Sequence, residues 1–242
     1  MGGGGRRVGR APDSSYVLFE GLLSARQLAS AREYVGSAAV QSALDEGILF
    51  NEKSSEEEEE ENKAPNNRQS VGSKRKRSAS QRLSRIAWLE REEDESSPKV
   101  PEWLHARMRH AAKLTHAALG EKLCPVGVDV SGRWTPRYEP LQYTEYGPGA
   151  HYASWHTDSE PNSDDPEDAR AVTVVLLLSD PEAYTGGKFQ VRSKTMRATE
   201  VKLRAGDAIG FPSQLLEHRV TKCHSGLRQT IVCWATRPYG LE

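Results

Sequence analysis

Long apolar runs are missing from this chain. None approaches the ~18 residues that a membrane-spanning helix needs, so a helical membrane protein is excluded by composition. Cysteine is scarce. Cys124, Cys223 and Cys233 are the only three, an odd and sparse set that does not suit a disulfide framework and points to a reducing compartment. They form no Cys/His cluster with structural zinc spacing. An excess of one charge is also missing. The formal net charge is −1, which gives no overall electrostatic reason to bind nucleic acid. The opening Met1-Gly-Gly-Gly-Gly-Arg-Arg lacks the apolar core of a secretion signal, and Arg6 stands where a myristoylation motif wants Ser or Thr. These absences together suggest an intracellular protein, cytoplasmic or nuclear.

What is present divides the chain unevenly. Residues 1–15 are rich in Gly and Arg and read as a disordered arm. Tyr16-Val-Leu-Phe19 reads as a short strand. Ser24, with Gln27 three residues later, makes a capping box, and Leu28, Ala31 and Val35 keep helical spacing up to a stop at Gly36. After Phe50 the composition changes. Glu56 to Glu61 is six consecutive glutamates, and Lys74-Arg-Lys-Arg77 follows. Like-charge blocks repel and cannot build a core, so disorder is expected over about 51–80. The basic cluster permits a nuclear-import reading beside that of a solvated linker.

Order resumes with Arg82-Leu-Ser-Arg-Ile-Ala-Trp88-Leu89 as a strand. Pro101 suits the first turn of a helix, because its missing N–H is not needed there. Leu104, Met108, Ala111, Thr115 and Ala118 then make one face, and Gly120 is the expected end. His105, His110 and His116 do not share a face of this helix and read as surface or packing residues. From Asp129 onward strands and turns alternate. Val172–Leu178 is apolar but for Thr173, as a strand covered on both faces should be. The expected fold is α+β: a jelly roll, or double-stranded β-helix, over about 129–238, braced by N-terminal helices. The whole reads as a single domain, 16–240, carrying the charged insertion.

Two stretches carry chemistry. Tyr146-Gly-Pro-Gly-Ala-His-Tyr-Ala-Ser-Trp-His156-Thr-Asp158 places an imidazole and a carboxylate two residues apart, on one face of a strand. His218 comes 62 residues after His156. Two histidines and one carboxylate form the facial triad of non-haem Fe(II) oxygenases. Each part alone is weak, since His-x-Asp occurs by chance in surface loops and a lone histidine is more often structural. Arg228, ten residues after His218, offers a fixed cation to an acidic cosubstrate. His151 and His224 are rival ligands. His151 lies five residues before His156 and should face the other way, and His224 sits in a polar turn.

The order of these parts resembles the Fe(II)- and 2-oxoglutarate-dependent dioxygenases, specifically the prolyl-4-hydroxylase-like branch. Leu141-Gln-Tyr-Thr-Glu-Tyr146, Gly186-Gly187-Lys-Phe189, Gly206-Asp-Ala-Ile-Gly-Phe-Pro-Ser213 and Gly226-Leu-Arg228 match the family's strands and turns. The resemblance implies Fe(II) on His156, Asp158 and His218, with 2-oxoglutarate and O2 as cosubstrates and room for ascorbate as a reductant. It implies that Arg228 holds the far carboxylate of 2-oxoglutarate. Thr230 completes an Arg-x-Ser/Thr arrangement, and Tyr146 matches a tyrosine that contacts cosubstrate. Asp158 distinguishes the chain from halogenating members, which carry a small residue there. The expected activity is hydroxylation of a C–H bond on a protein or peptide side chain, prolyl-type, producing succinate and CO2. The alternatives are the same chemistry on a small molecule or alkylated nucleic acid, and a non-catalytic jelly-roll binding module. Trp234 counts against nucleobase dealkylation, which usually has an arginine there. Oligomeric state is silent in the sequence.

Overall fold

The computed structural model describes residues 8–10, 15–50, 80–90, 96–123, 134–159, 169–193 and 197–236. The charged insertion and its Lys74–Arg77 cluster, Cys124 and most of the loop after the metal pair lie outside them. Among the described residues no helix is long and apolar enough to cross a membrane.

The strands are β1 (Val8–Arg10), β2 (Val17–Phe19), β3 (Asp45–Phe50), β4 (Ser80–Leu89), β5 (Leu141–Tyr146), β6 (His151–His156) and β7 (Arg170–Leu177). They continue as β8 (Tyr184–Gly186), β9 (Phe189–Arg192), β10 (Thr199–Glu200), β11 (Ala208–Pro212), β12 (Glu217–Val220), β13 (Cys223–Gly226) and β14 (Arg228–Thr236). The helices are α1 (Ala25–Val35), α2 (Ala38–Ser42) and α3 (Glu102–Leu123). One antiparallel sheet runs β1-β2-β11-β7-β14-β5-β4-β6-β12-β9-β10, with β3 on β4, and β13 pairs β8 separately. This is the jelly-roll arrangement the strand pattern called for.

Alternation along two central strands separates two cores. On β7, Val172, Val174 and Leu176 join Leu104, Met108 and Ala111 of α3. Val175 and Leu177 point the other way, into the roll, with Phe189, Phe211 and Trp234. On β14, Ile231, Cys233 and Ala235 take the helix side, whereas Val232 and Trp234 face the interior. The strand is apolar on both faces because both faces are covered. Helix α3 lies close on the sheet at Gly210 of β11. A Cβ there would stand 1.9 Å from Thr115 Oγ1, so only glycine permits the approach.

Helix α1 has the expected capping box, with Gln27 N–H donating to Ser24 Oγ and Ser24 N–H donating to Gln27 Oε1. Three expectations need correction. Val8–Arg10, inside the arm read as disordered, pairs with β2 as an edge strand, because backbone hydrogen bonds need no apolar side chains. Helix α3 runs past Gly120 to Leu123, since burial of Leu119 on the sheet outweighs the weak intrinsic penalty of one glycine. The short helix α2 and strand β3 carried no periodicity long enough to announce them.

Candidate metal centre

Strands β6 and β12 pair in antiparallel register, with His156 directly opposite His218. Their rings stand 4.2 Å apart between centroids. Asp158 does not sit on the strand, as alternation had suggested; it lies in the bend just beyond β6. Tertiary bonds place it instead. Its N–H donates to Ser213 O at 2.9 Å, and Thr173 Oγ1 of β7 donates to its Oδ2 at 2.8 Å. The carboxylate Oδ1 then lies 3.5 Å from His218 Nε2 and 3.9 Å from His156 Nε2. One donor atom from each of the three residues falls within a 4.8 Å span.

The orientation of these groups fits a cation. His156 Nδ1 faces Ser154 O at 3.0 Å and His218 Nδ1 faces Leu216 O at 3.3 Å. A carbonyl oxygen can only accept, so each Nδ1 carries the proton and each Nε2 presents a lone pair. Three acceptors converge on one point, and a metal ion satisfies all of them. Burial, and then the neighbouring His218, push the His156 imidazole down to about 4, which keeps it neutral and ligating near pH 7. For Asp158, burial alone would favour the neutral acid. His218, His156 and the Thr173 hydroxyl outweigh it and hold the carboxyl below its ordinary range.

The triad opens on a cavity of about 260 Å³ inside the roll. Arg228 lines it and is 2 % exposed, opposite Tyr146 in the β14–β5 register, with its guanidinium 5.6 Å from the tyrosine ring. Thr230 shares that strand and cavity, as the two-residue spacing required. No carboxylate among the described residues pairs with Arg228. His151 and His224 are both outside the triad: His151 pairs with Leu83 at the start of β6, and His224 is exposed on β13. The helix histidines are also elsewhere. His105 meets Glu90, and His116 stacks on Trp134.

Several cavity residues escaped the sequence reading. Arg170 is gripped by Glu139 at 2.5 and 2.6 Å and lies 3.9 Å from the Trp234 ring, forming one wall. Tyr152 stacks on His156 at 3.6 Å between ring centroids. Arg82 lines the cavity from β4. Thr173 had a signal, being the one polar side chain in an apolar strand. Arg82 and Arg170 had none, because charged residues at strand ends are usually solvated.

Roll and donor set together define a jelly-roll two-histidine, one-carboxylate metal site of the kind used by iron oxygenases. Residues 141–236 match the model of the 2OG-Fe(II) oxygenase superfamily. A PKHD-type hydroxylase of Crocosphaera subtropica is 34% identical over 94 residues, 39% of this chain and 41% of that protein. One from Hyphomonas neptunium is 37% identical over 103 residues, 41% of this chain and 42% of that protein. The chain thus spans about two fifths of the length of these curated relatives. In fold it is prolyl-hydroxylase-like. A Pseudomonas putida prolyl-4-hydroxylase superposes with a TM-score of 0.53 at 19% identity, covering 93% of both chains. A Trichoplax adhaerens prolyl hydroxylase, solved with a hypoxia inducible factor oxygen degradation domain peptide, gives 0.56 at 14% identity, covering 92% of this chain and 83% of that one. The superfamily's cofactors, Fe(II) and 2-oxoglutarate with O2, are those this donor set fits.

Proposed function

We propose that this chain is an Fe(II)- and 2-oxoglutarate-dependent hydroxylase acting on a protein or peptide side chain, prolyl-type. The observation that carries the proposal is the pairing of two incomplete sites in one cavity. Three converging acceptors call for a cation, and a buried arginine without an acidic partner calls for a carboxylate. A buried unpaired charge is costly, so its retention next to a metal site favours a ligand that brings the missing anion. The peptide class draws support from the prolyl-hydroxylase fold and from the peptide bound to one of those neighbours.

In this reading His156, Asp158 and His218 hold Fe(II) through two Nε2 atoms and Oδ1. With 2-oxoglutarate and O2, the bound iron supplies oxidative decarboxylation to succinate and CO2 coupled to hydroxylation of a substrate C–H bond. The protein's part is binding and orientation. Arg228 grips the far carboxylate of the oxoacid, with Thr230 and Tyr146 beside it as further hydrogen-bonding groups. Ser154 O and Leu216 O keep both imidazoles in the ligating tautomer. Phe189 and Phe211 pack around His218 and exclude water from that side.

The test is spectroscopic and needs no substrate. Fe(II) and 2-oxoglutarate added anaerobically should give the visible charge-transfer band of a chelated oxoacid in wild type and none in His156→Ala. A blocked proline peptide screen, read by succinate, then addresses the substrate. Absence of the band in wild type, with metal analysis also negative, would move the reading to a non-catalytic binding module.

A further inference from the structure

We infer that Arg82 is a second carboxylate-reading position in this cavity, one that recognises an acidic group on the substrate beside the reacting carbon. The inference rests on the hydroxylase reading above and names what such a substrate must carry.

Among the described residues, Arg82 hydrogen-bonds neutral partners only. Its Nε donates to Ser84 Oγ at 2.8 Å, and one terminal nitrogen donates to Gln142 Oε1 at 3.1 Å. Gln142 is in turn held by Thr144 Oγ1 at 3.2 Å. Ser84 and Gln142 are each 4 % exposed and Thr144 is 2 % exposed, so the cradle is built into the sheet and is not a surface accident. The guanidinium carbon lies 5.3 Å from the Tyr152 ring, and that ring stacks on His156. Arg82 is therefore one aromatic ring away from a metal ligand, and its remaining N–H donors meet no acceptor among the described residues.

Three other arginines set the contrast, although Arg219, like Arg82, donates to a glutamine oxygen. Arg170 is matched by Glu139, Arg85 by Glu145 and Arg192 by Glu217. No carboxylate among the described residues lies within ion-pair distance of Arg82. Charge in the loaded cavity also leaves it over. Fe(II) and Arg228 are balanced by Asp158 and the two carboxylates of 2-oxoglutarate, and Arg170 is balanced by Glu139. One positive charge, on Arg82, then faces the incoming substrate. A guanidinium fixed in orientation by two hydrogen bonds suits a carboxylate better than a carbonyl, because the planar fork matches both oxygens. An aspartate or glutamate flanking the hydroxylated residue, or a free carboxylate on it, supplies that group.

The experiment uses the full chain with Fe(II) and 2-oxoglutarate under anaerobic conditions and two probe pairs. One pair is a blocked proline peptide with aspartate or asparagine walked through the flanking positions. The other is N-acetyl-aspartate against N-acetyl-asparagine, which contains no proline. Calorimetry should show the acid of at least one pair bound about tenfold more tightly than its amide, the scale of one charge-assisted contact. In Arg82→Gln that preference should fall to within about twofold, and Arg82→Lys should keep part of it. Equal binding of acid and amide in both pairs, or a preference that survives Arg82→Gln, overturns the inference. So does a loss of 2-oxoglutarate affinity in Arg82→Gln as large as that in Arg228→Ala, because Arg82 would then serve the cosubstrate. Acid preference confined to the proline-free pair, with no proline peptide turned over, would support Arg82 and sink the prolyl reading separately.

Discussion

At the scale of single residues, the site depends on which lone pairs are free. The carbonyls of Ser154 and Leu216 decide that each histidine offers Nε2, and Thr173 decides that Asp158 offers Oδ1. Replacing Thr173 with valine keeps the shape and removes the hydroxyl. The Asp158 carboxylate would then be free to rotate, and metal affinity should fall by about tenfold or more, the usual cost of losing an outer partner. Titration of Fe(II) or Co(II) into the variant checks this; unchanged affinity would mean the bend alone orients Asp158. Arg228→Ala removes a buried cation from the cavity. Affinity for 2-oxoglutarate should drop roughly tenfold to a hundredfold or more, in line with ~1.5–3 kcal/mol for a hydrogen bond to a charged group. Fe(II) binding by the same variant should be retained, which separates the cosubstrate role from collapse of the site.

At the scale of elements, alternation was the legible signal and tertiary bonding was not. The period of two along β14 puts Cys233 on one face and Arg228 with Thr230 on the other. Three ligands and the candidate cosubstrate arginine could be picked from sequence because they come in one order, each next to strand-like sequence. Arg82 could not be picked, since its role depends on β4 lying between β5 and β6, a pairing across 60 residues of sequence at Gln142. The position of Asp158 was equally hidden, because the bond from its N–H to Ser213 is non-local. Gly210 belongs to the same class: nothing local says that α3 crosses there. Gly210→Ala should cost ~1–3 kcal/mol by overpacking, read as a lower denaturation midpoint in urea. Thr115→Ala in the same chain should recover part of that loss, because the nearest atom to the new methyl is Thr115 Oγ1. Simple additivity of the two changes would show that the clash is with something else.

At the scale of the whole molecule, the metal site is a tie between the two sides of the roll. His156 ends β6 and His218 lies on β12, within the smaller group of strands, whereas Asp158 is bound to Thr173 on β7, in the group that packs against α3. The interior between them holds the cavity. A ligand that binds only the folded state stabilises it by mass action, by about 2.7 kcal/mol at a hundredfold excess over Kd. For a chain of this size that corresponds to a rise in Tm of roughly 5–10 °C. Thermal melts with Co(II) and 2-oxoglutarate, neither of which turns over without O2, should show that rise in wild type. Asp158→Ala should melt without it, since the two histidines left are both on one side and cannot tie it to the other. An equal rise in the variant would mean that the ion stabilises from another site, and the tie between the two sides of the roll would have to be credited to packing alone.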